Sequence, residues 1–234
     1  WTEGESNLLI TTMEGSYADT FAQEHNIPVQ YEDQISEFEY IRFTTEWGEE
    51  IAITGYVTLA ETVRIPAYIE GLPVTIVSGG AFKDCTDIKK VVLPNTLAEI
   101  KEEAFAGCTG LTELILPEYV WGIQARAFAG CTGLTNVVLS RTLLNIEEEA
   151  FAGCTGLTKI DLPEEISWIN RRAFGDCINL EEIYVPNNAN LNWDTSLFNG
   201  CDIEKLTVVF SRGGFCSGHQ LGKMPLASVT EKTP

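Results

Sequence analysis

Positive charge is scarce in this sequence. Lysine and arginine together number 15 against 34 aspartates and glutamates, a net charge of −19. A surface so negative repels phosphate backbones and anionic headgroups, so nucleic acid and the membrane surface are poor partners. Histidine is nearly missing: His25 and His219 are the two copies, neither with an evident partner, which leaves little for metal ligation or general-base chemistry. No run of about 18 apolar residues occurs, so no helical bilayer span or membrane insertion is expected. A G-x-S-x-G elbow, a P-loop, H-E-x-x-H and the dinucleotide-binding glycine fingerprint are also lacking. The runs Glu102-Glu103 and Glu147-Glu148-Glu149 do not have calcium-loop spacing, and chance alone supplies carboxylate pairs in so acidic a chain. No catalytic residue, metal or cofactor is expected.

What is present is a period. Cys85, Cys108, Cys131, Cys154 and Cys177 succeed one another at 23 residues, and Cys201 follows at 24. Ala-Phe-x-x precedes the first five, as in Ala81-Phe82 and Ala104-Phe105, and Leu197-Phe198 precedes the last. Three, six and eight positions after the cysteine come apolar residues: Ile88, Val91 and Leu93; Leu111, Leu114 and Leu116; Leu134, Val137 and Leu139; Leu157, Ile160 and Leu162. This L-x-x-L-x-L spacing is the strand signature of a leucine-rich repeat. Its last two apolar positions flank an outward one, as a strand with one buried face requires. Pro94, Pro117, Pro163 and Pro186 close the strands, with Ser140 as the exception. A second apolar pair, such as Val120 and Ile123 or Ile166 and Ile169, predicts a short extended segment on the far side of each coil. The Ala-Phe-x-x-Cys stretch predicts a tight corner or short helical turn with the phenyl ring at the coil centre. One repeat cannot bury such a stripe alone, whereas six stacked copies can.

The expected fold is therefore an α/β leucine-rich-repeat solenoid, right-handed, of 23-residue units with short strands and short helical turns. Its cysteines should form a ladder of buried free thiols, because stacked side chains run parallel rather than toward each other. Cys216 lies outside the period and leaves a pairing with Cys201 open. Three segments are read: 1–50 as an N-terminal cap with a short helix over 17–25 capped by Ser16 and paired strands near Phe38–Phe43 and Ile51–Tyr56; 51–210 as the solenoid; 211–234 as an irregular C-terminal cap and tail, flexible from Lys223. The chain begins at Trp1 rather than Met, the start expected of a mature or trimmed product.

The unit I/L-x-x-x-x-x-A-F-x-x-C-x-x-L-x-x-V-x-L-P closely resembles the BspA-like leucine-rich repeats of bacterial surface proteins, over roughly residues 53–209. Ile53-Thr54-Gly55-Tyr56 with Gly71-Leu72-Pro73-Val74 resembles that family's usual first coil. Gly15 through Pro28 resembles a segment that commonly follows such repeats. Its place at the N-terminus departs from that order and implies a repeat array upstream. The resemblance implies a secreted or surface location on a bacterial cell and adhesion through a protein or glycan ligand, and it supplies no ligand and no catalytic residues.

In a repeat protein, function is sought where outward positions depart from ordinary polar choices. Seven positions after the cysteine stand Val92, Ile115, Val138, Asp161 and Tyr184; the first three predict an apolar row on the open sheet, and Tyr184 is a further candidate contact. On the other side Tyr119, Trp121, Leu144 and Trp168 predict an aromatic patch on the middle coils. Exposed apolar area and aromatic anchors mark contact surfaces, although β-branched residues also suit strands of any function. Glu103, Arg126, Glu149 and Arg172 alternate in sign from coil to coil, a pattern that favours correct stacking register. The leading reading is a binding scaffold outside the cell for a host or neighbouring-cell protein or glycan. The alternative is a spacer or assembly domain of a larger surface protein, with an enzyme a distant third.

Overall fold

The computed structural model describes residues 37–186 and 196–210, with the backbone of four further short strands, Ile10–Thr12, Val29–Tyr31, Asn192–Trp193 and Ser228–Glu231. The chain winds into a β-solenoid of about seven turns. On one face the strands Thr62–Arg64, Lys90–Val92, Glu113–Ile115 and Asn136–Val138 form one parallel ladder. Lys159–Asp161, Glu182–Val185, Thr207–Phe210 and Ser228–Glu231 form a second. Leu114 pairs with Val137 and Ile160 with Ile183, each exactly one repeat apart in the chain. The opposite face is a nine-stranded sheet whose repeated members have two residues each, Glu99–Ile100, Gly122–Ile123, Asn145–Ile146 and Trp168–Ile169.

Stacking follows from the repeated apolar positions. The rings of Phe82, Phe105, Phe128, Phe151, Phe174 and Phe198 run in file through the interior, with successive centroids 4.8 to 6.2 Å apart and planes within 20° of parallel. Around them lie Leu111, Leu134, Leu157 and Leu180 on one side and Ile100, Ile123, Ile146 and Ile169 on the other, all buried. Burying a side chain of this kind contributes about 1.5–3 kcal/mol, and each coil obtains that burial only from its neighbours.

The corners correct the α/β description: among the described residues no α-helix forms. The reason lies in the hydrogen bonding of Ala-Phe-x-x-Cys. Glu103, Phe105 and Gly107 donate their N–H groups across to Ala125, Ala127 and Ala129 of the next coil, while Ala104, Ala106 and Cys108 bond back three residues. Every second donor is thus taken by a neighbour, and a helical ladder has none to spare. Glu103 and Gly107 also bracket the corner at φ of 56° and 74°, left-handed values that interrupt a right-handed helix. Ser140, at the position of the strand-closing prolines, is buried and donates from Oγ to the Glu118 carbonyl at 2.8 Å.

The first coil is built differently. Phe38–Thr45 and Gly48–Tyr56 pair antiparallel as a hairpin, and its second strand lies parallel to Leu72–Val77. Phe38 and Tyr56 meet the end of the ring file at Phe82, with centroids 6.4 and 5.4 Å away. The helix expected over 17–25 lies outside the described residues. Ser228–Glu231, expected within a flexible tail, instead forms a strand parallel to Thr207–Phe210.

Candidate binding surface

The outward positions sort into two surfaces. On the second face Trp121 and Leu144 occupy the same place on successive coils, because the Leu144 N–H donates to the Trp121 carbonyl at 2.9 Å. The Trp168 N–H donates in turn to the Leu144 carbonyl at 3.1 Å. Three residues spread over 48 positions of sequence thus sit on one backbone-bonded path across three coils. Trp121 is 38% exposed, Leu144 40%, Trp168 53% and Tyr119 66%. Their neighbours Val120, Ile123, Leu143, Ile146, Ile166 and Ile169 point inward and are buried, so these side chains stand on a rigid floor. Large aromatic groups left exposed by the described residues are the pattern of a contact surface.

On the first face Ile115 and Val138 pair in register and are both about half exposed, while Val92 is half-buried. Val92 and Ile115 line a shallow groove of about 390 Å³ with Arg64, Lys90, Asn95 and Glu113. Tyr184 stands apart from these three. It lies in the second ladder, half-buried between Asp161 and Val209, beside a polar groove of about 540 Å³ lined by Thr158, Lys159, Glu181, Glu182, Lys205 and Thr207. The face is carried by two ladders, interrupted between Val138 and Lys159. Charges on this face are largely matched: Lys90 reaches Glu113 at 3.5 Å, Lys159 reaches Glu182 at 2.8 Å, and Lys89 contacts Glu61.

A third row crosses the corners. Lys83, Glu103, Arg126, Glu149, Arg172 and Asp176 form one unbroken chain of ion pairs at 2.6, 3.6, 2.9, 3.2 and 2.6 Å. The hydrogen bond from Lys83 holds the Glu103 carboxyl below its ordinary range, and that from Arg126 does the same for Glu149. Glu103 and Glu149 raise Lys83 and Arg126 in return. Arg171 contacts Glu148 in a parallel row.

Beneath this row lies a feature that residue spacing alone did not show. The buried thiols of Cys108, Cys131, Cys154 and Cys177 each donate to the phenylalanine carbonyl one coil back, Phe82, Phe105, Phe128 and Phe151, at 3.1 to 3.2 Å. Cys201 does the same to Phe174 at 3.0 Å. The column consists of inter-coil donors as well as space-fillers. Burial pushes the Cys177 thiol up to about 12 and the Cys201 thiol up to about 11. Cys154 lies well above its ordinary value for the same reason, so these groups stay protonated and unreactive at neutral pH. Cys201 carries a free thiol; Cys216 lies outside the described residues.

Among the described residues no group of three or more His, Cys, Asp or Glu is placed to hold a metal ion, and no helix is long and apolar enough to cross a membrane. Sequence reasoning also missed the exposed side chains of the first coil, Trp47 at the hairpin tip and Leu59 beyond it. The signal available for the former was a tryptophan beside Gly48 in a two-residue turn between alternating strands.

The profile of the BspA type leucine rich repeat region matches residues 75–207 in six copies. The chain belongs to this family. The crystal structure of a leucine-rich-repeat protein from T. pallidum is similar at 28% identity and a TM-score of 0.62, over 75% of this chain and 84% of that one. A leucine-rich-repeat protein from Eubacterium ventriosum shares the fold at 17% identity and a TM-score of 0.53, over 83% of this chain and 58% of the other. No curated protein matches the chain in sequence. Membership of the BspA type family indicates a scaffold or protein-binding role and points to no catalytic family.

Proposed function

We propose that this chain is an extracellular binding scaffold, displayed at or beyond a bacterial surface, that recognises a host or neighbouring-cell protein or glycan. The observation that carries this reading is the exposure of Trp121, Trp168, Tyr119 and Leu144 on a floor of buried side chains. The outside location is supported by the surface and secreted character that the BspA-like resemblance implies. The thiols are compatible with an oxidising medium, since Cys108, Cys131, Cys154 and Cys177 are buried and inaccessible thiols resist oxidation.

The test is binding of the purified chain to an array of extracellular-matrix proteins and glycans, beside a Trp121→Ala/Trp168→Ala double variant. Both side chains face solvent, so the variant is expected to keep its circular dichroism spectrum and a Tm within a few degrees of the parent. Binding by the parent that is lost in the folded variant is the expected result. Equal binding by both moves the site elsewhere, to the Val92–Ile115 groove first. Failure of both to bind any array member favours the spacer or assembly reading.

A further inference from the structure

The charge surrounding the aromatic patch limits what can dock there. Glu118 precedes Tyr119 by one residue, and Glu164 and Glu165 stand within four residues of Trp168. Glu118 and Glu165 are exposed. Arg141 stands one repeat, 23 residues, from both Glu118 and Glu164 and is the one basic residue at that repeat position in these three coils, and Lys101 is already in contact with Glu99. The first face differs: there each lysine contacts a carboxylate, at Lys89–Glu61, Lys90–Glu113 and Lys159–Glu182, with Asp161 also near Lys159. The rim of the aromatic patch is thus more acidic than basic, and it belongs to a molecule of net charge −19.

We propose that this face receives a basic protein segment, its lysine or arginine side chains lying over the indoles of Trp121 and Trp168 with their charges beside Glu118 and Glu165. The proposal rests on the binding-scaffold reading above and names the partner class for the same surface. An indole face presents negative potential and attracts a cation within about 6 Å of its centroid. The carboxylate rim supplies the second recognition element, and the overall negative field draws a basic partner in while turning nucleic acids and sulfated or sialylated glycans away. A neutral sugar gains nothing from that field.

The experiment titrates the full chain by calorimetry with three probes: a lysine-rich peptide, the same peptide with its lysines acetylated, and a neutral chito-oligosaccharide. The lysine peptide is expected to bind, and to bind about tenfold more weakly when salt rises from about 50 to about 300 mM, as screening of charge requires. Trp121→Ala/Trp168→Ala should weaken it about tenfold or more and Glu118→Gln/Glu165→Gln about threefold. Glu46→Gln/Glu49→Gln, which removes the same charge at the hairpin tip, should leave the affinity within about twofold, because the hairpin lies at least three strands from Gly122–Ile123 in that sheet and salt screens charge over such a span. Equal binding of the acetylated peptide overturns the proposal. So does a loss in the hairpin variant as large as in the rim variant, since net charge alone then explains the attraction. Binding of the oligosaccharide and not the peptide, with loss in the tryptophan variant, overturns this inference while the scaffold reading stands. Binding of a matrix protein or glycan that ignores the tryptophans overturns the site in both.

Discussion

The first coil and the repeats bury apolar surface by different means. Between Phe38 and Tyr56 the chain forms strands of eight and nine residues that pair with each other at once. From Ala81 onward the strands shrink to two to four residues, bonded to segments 21 to 28 positions away. The hairpin is local, with the Thr45 hydroxyl bonded to the Glu50 carboxylate at 2.9 Å, and it is tied to the next strand by the Thr75 hydroxyl, which bonds the same carboxylate at 2.5 Å. The repeats are non-local, and every coil depends on the two that flank it. Strand length therefore says little about rigidity here; continuity of the inner rows decides it.

The largest test of that contrast breaks the ring file in the middle. Phe128→Ala removes a fully buried ring stacked on both sides at 5.3 and 5.4 Å and should cost about 3–5 kcal/mol by urea denaturation. Phe38→Ala at the hairpin end should cost less and leave amide exchange protection intact in the central coils. Equal loss of protection in both would mean that the hairpin nucleates the stack.

Two glycines in neighbouring coils sharpen the comparison next. A Cβ on Gly156 would stand 2.7 and 2.9 Å from the Thr132 and Leu134 carbonyl oxygens, so Gly156→Ala should cost about 1–3 kcal/mol through displacement of a coil. Nothing lies within 4 Å of a Cβ on Gly122, and Gly122→Ala should stay within about 0.5 kcal/mol. A similar melting temperature for both would refute the close-approach account.

Smaller effects come from the thiol column and the corner charges. The Cys177 and Cys201 thiols are held protonated in the folded chain, and an unfolded cysteine titrates near 8.5. Between that value and the folded values of about 11 and 12 for Cys201 and Cys177, the folded state binds more protons, so stability falls as pH rises. The fall should begin above about pH 8.5 and be shallower in Cys177→Ala; an identical slope between pH 8 and 10 would exclude that thiol. Arg126→Glu places three like charges in a row with Glu103 and Glu149. It should lower Tm by less than Phe128→Ala or Gly156→Ala, with the deficit shrinking in high salt, whereas a salt-independent deficit would point to the backbone at Arg126, where φ is 56°.

The repeat was legible because it consists of interior positions. Phe105, Cys108, Leu111 and Leu114 do the same task in every coil, so selection for burial writes the same residue types at the same spacing. The alternation of Glu103, Arg126, Glu149 and Arg172 was legible for the same reason, since stacking at a fixed period makes charge order along the chain into charge order in space. The candidate surface was only half legible. Tyr119, Trp121, Leu144 and Trp168 stood out as residue types, yet Leu144 follows Trp121 by 23 positions and Trp168 follows Leu144 by 24. Their shared path depends on which backbone groups bond across coils. Counting from the cysteine gives Tyr184 the same repeat position as Val92, Ile115 and Val138, and only the interruption of the ladder shows that it lies on a separate sheet.

By itself, then, the sequence determined the period, the buried rows, the coil-to-coil register and the family. Those depend on apolar spacing and side-chain volume, which repeat in the chain as they repeat in space. Only the tertiary structure decided that the corners are turns rather than helices, that the cysteine thiols are donors, that Gly156 lies against a neighbouring backbone, and that the two tryptophans face solvent. Each of these is settled by hydrogen bonds and close contacts between coils, and no local propensity reports on a partner 23 residues away.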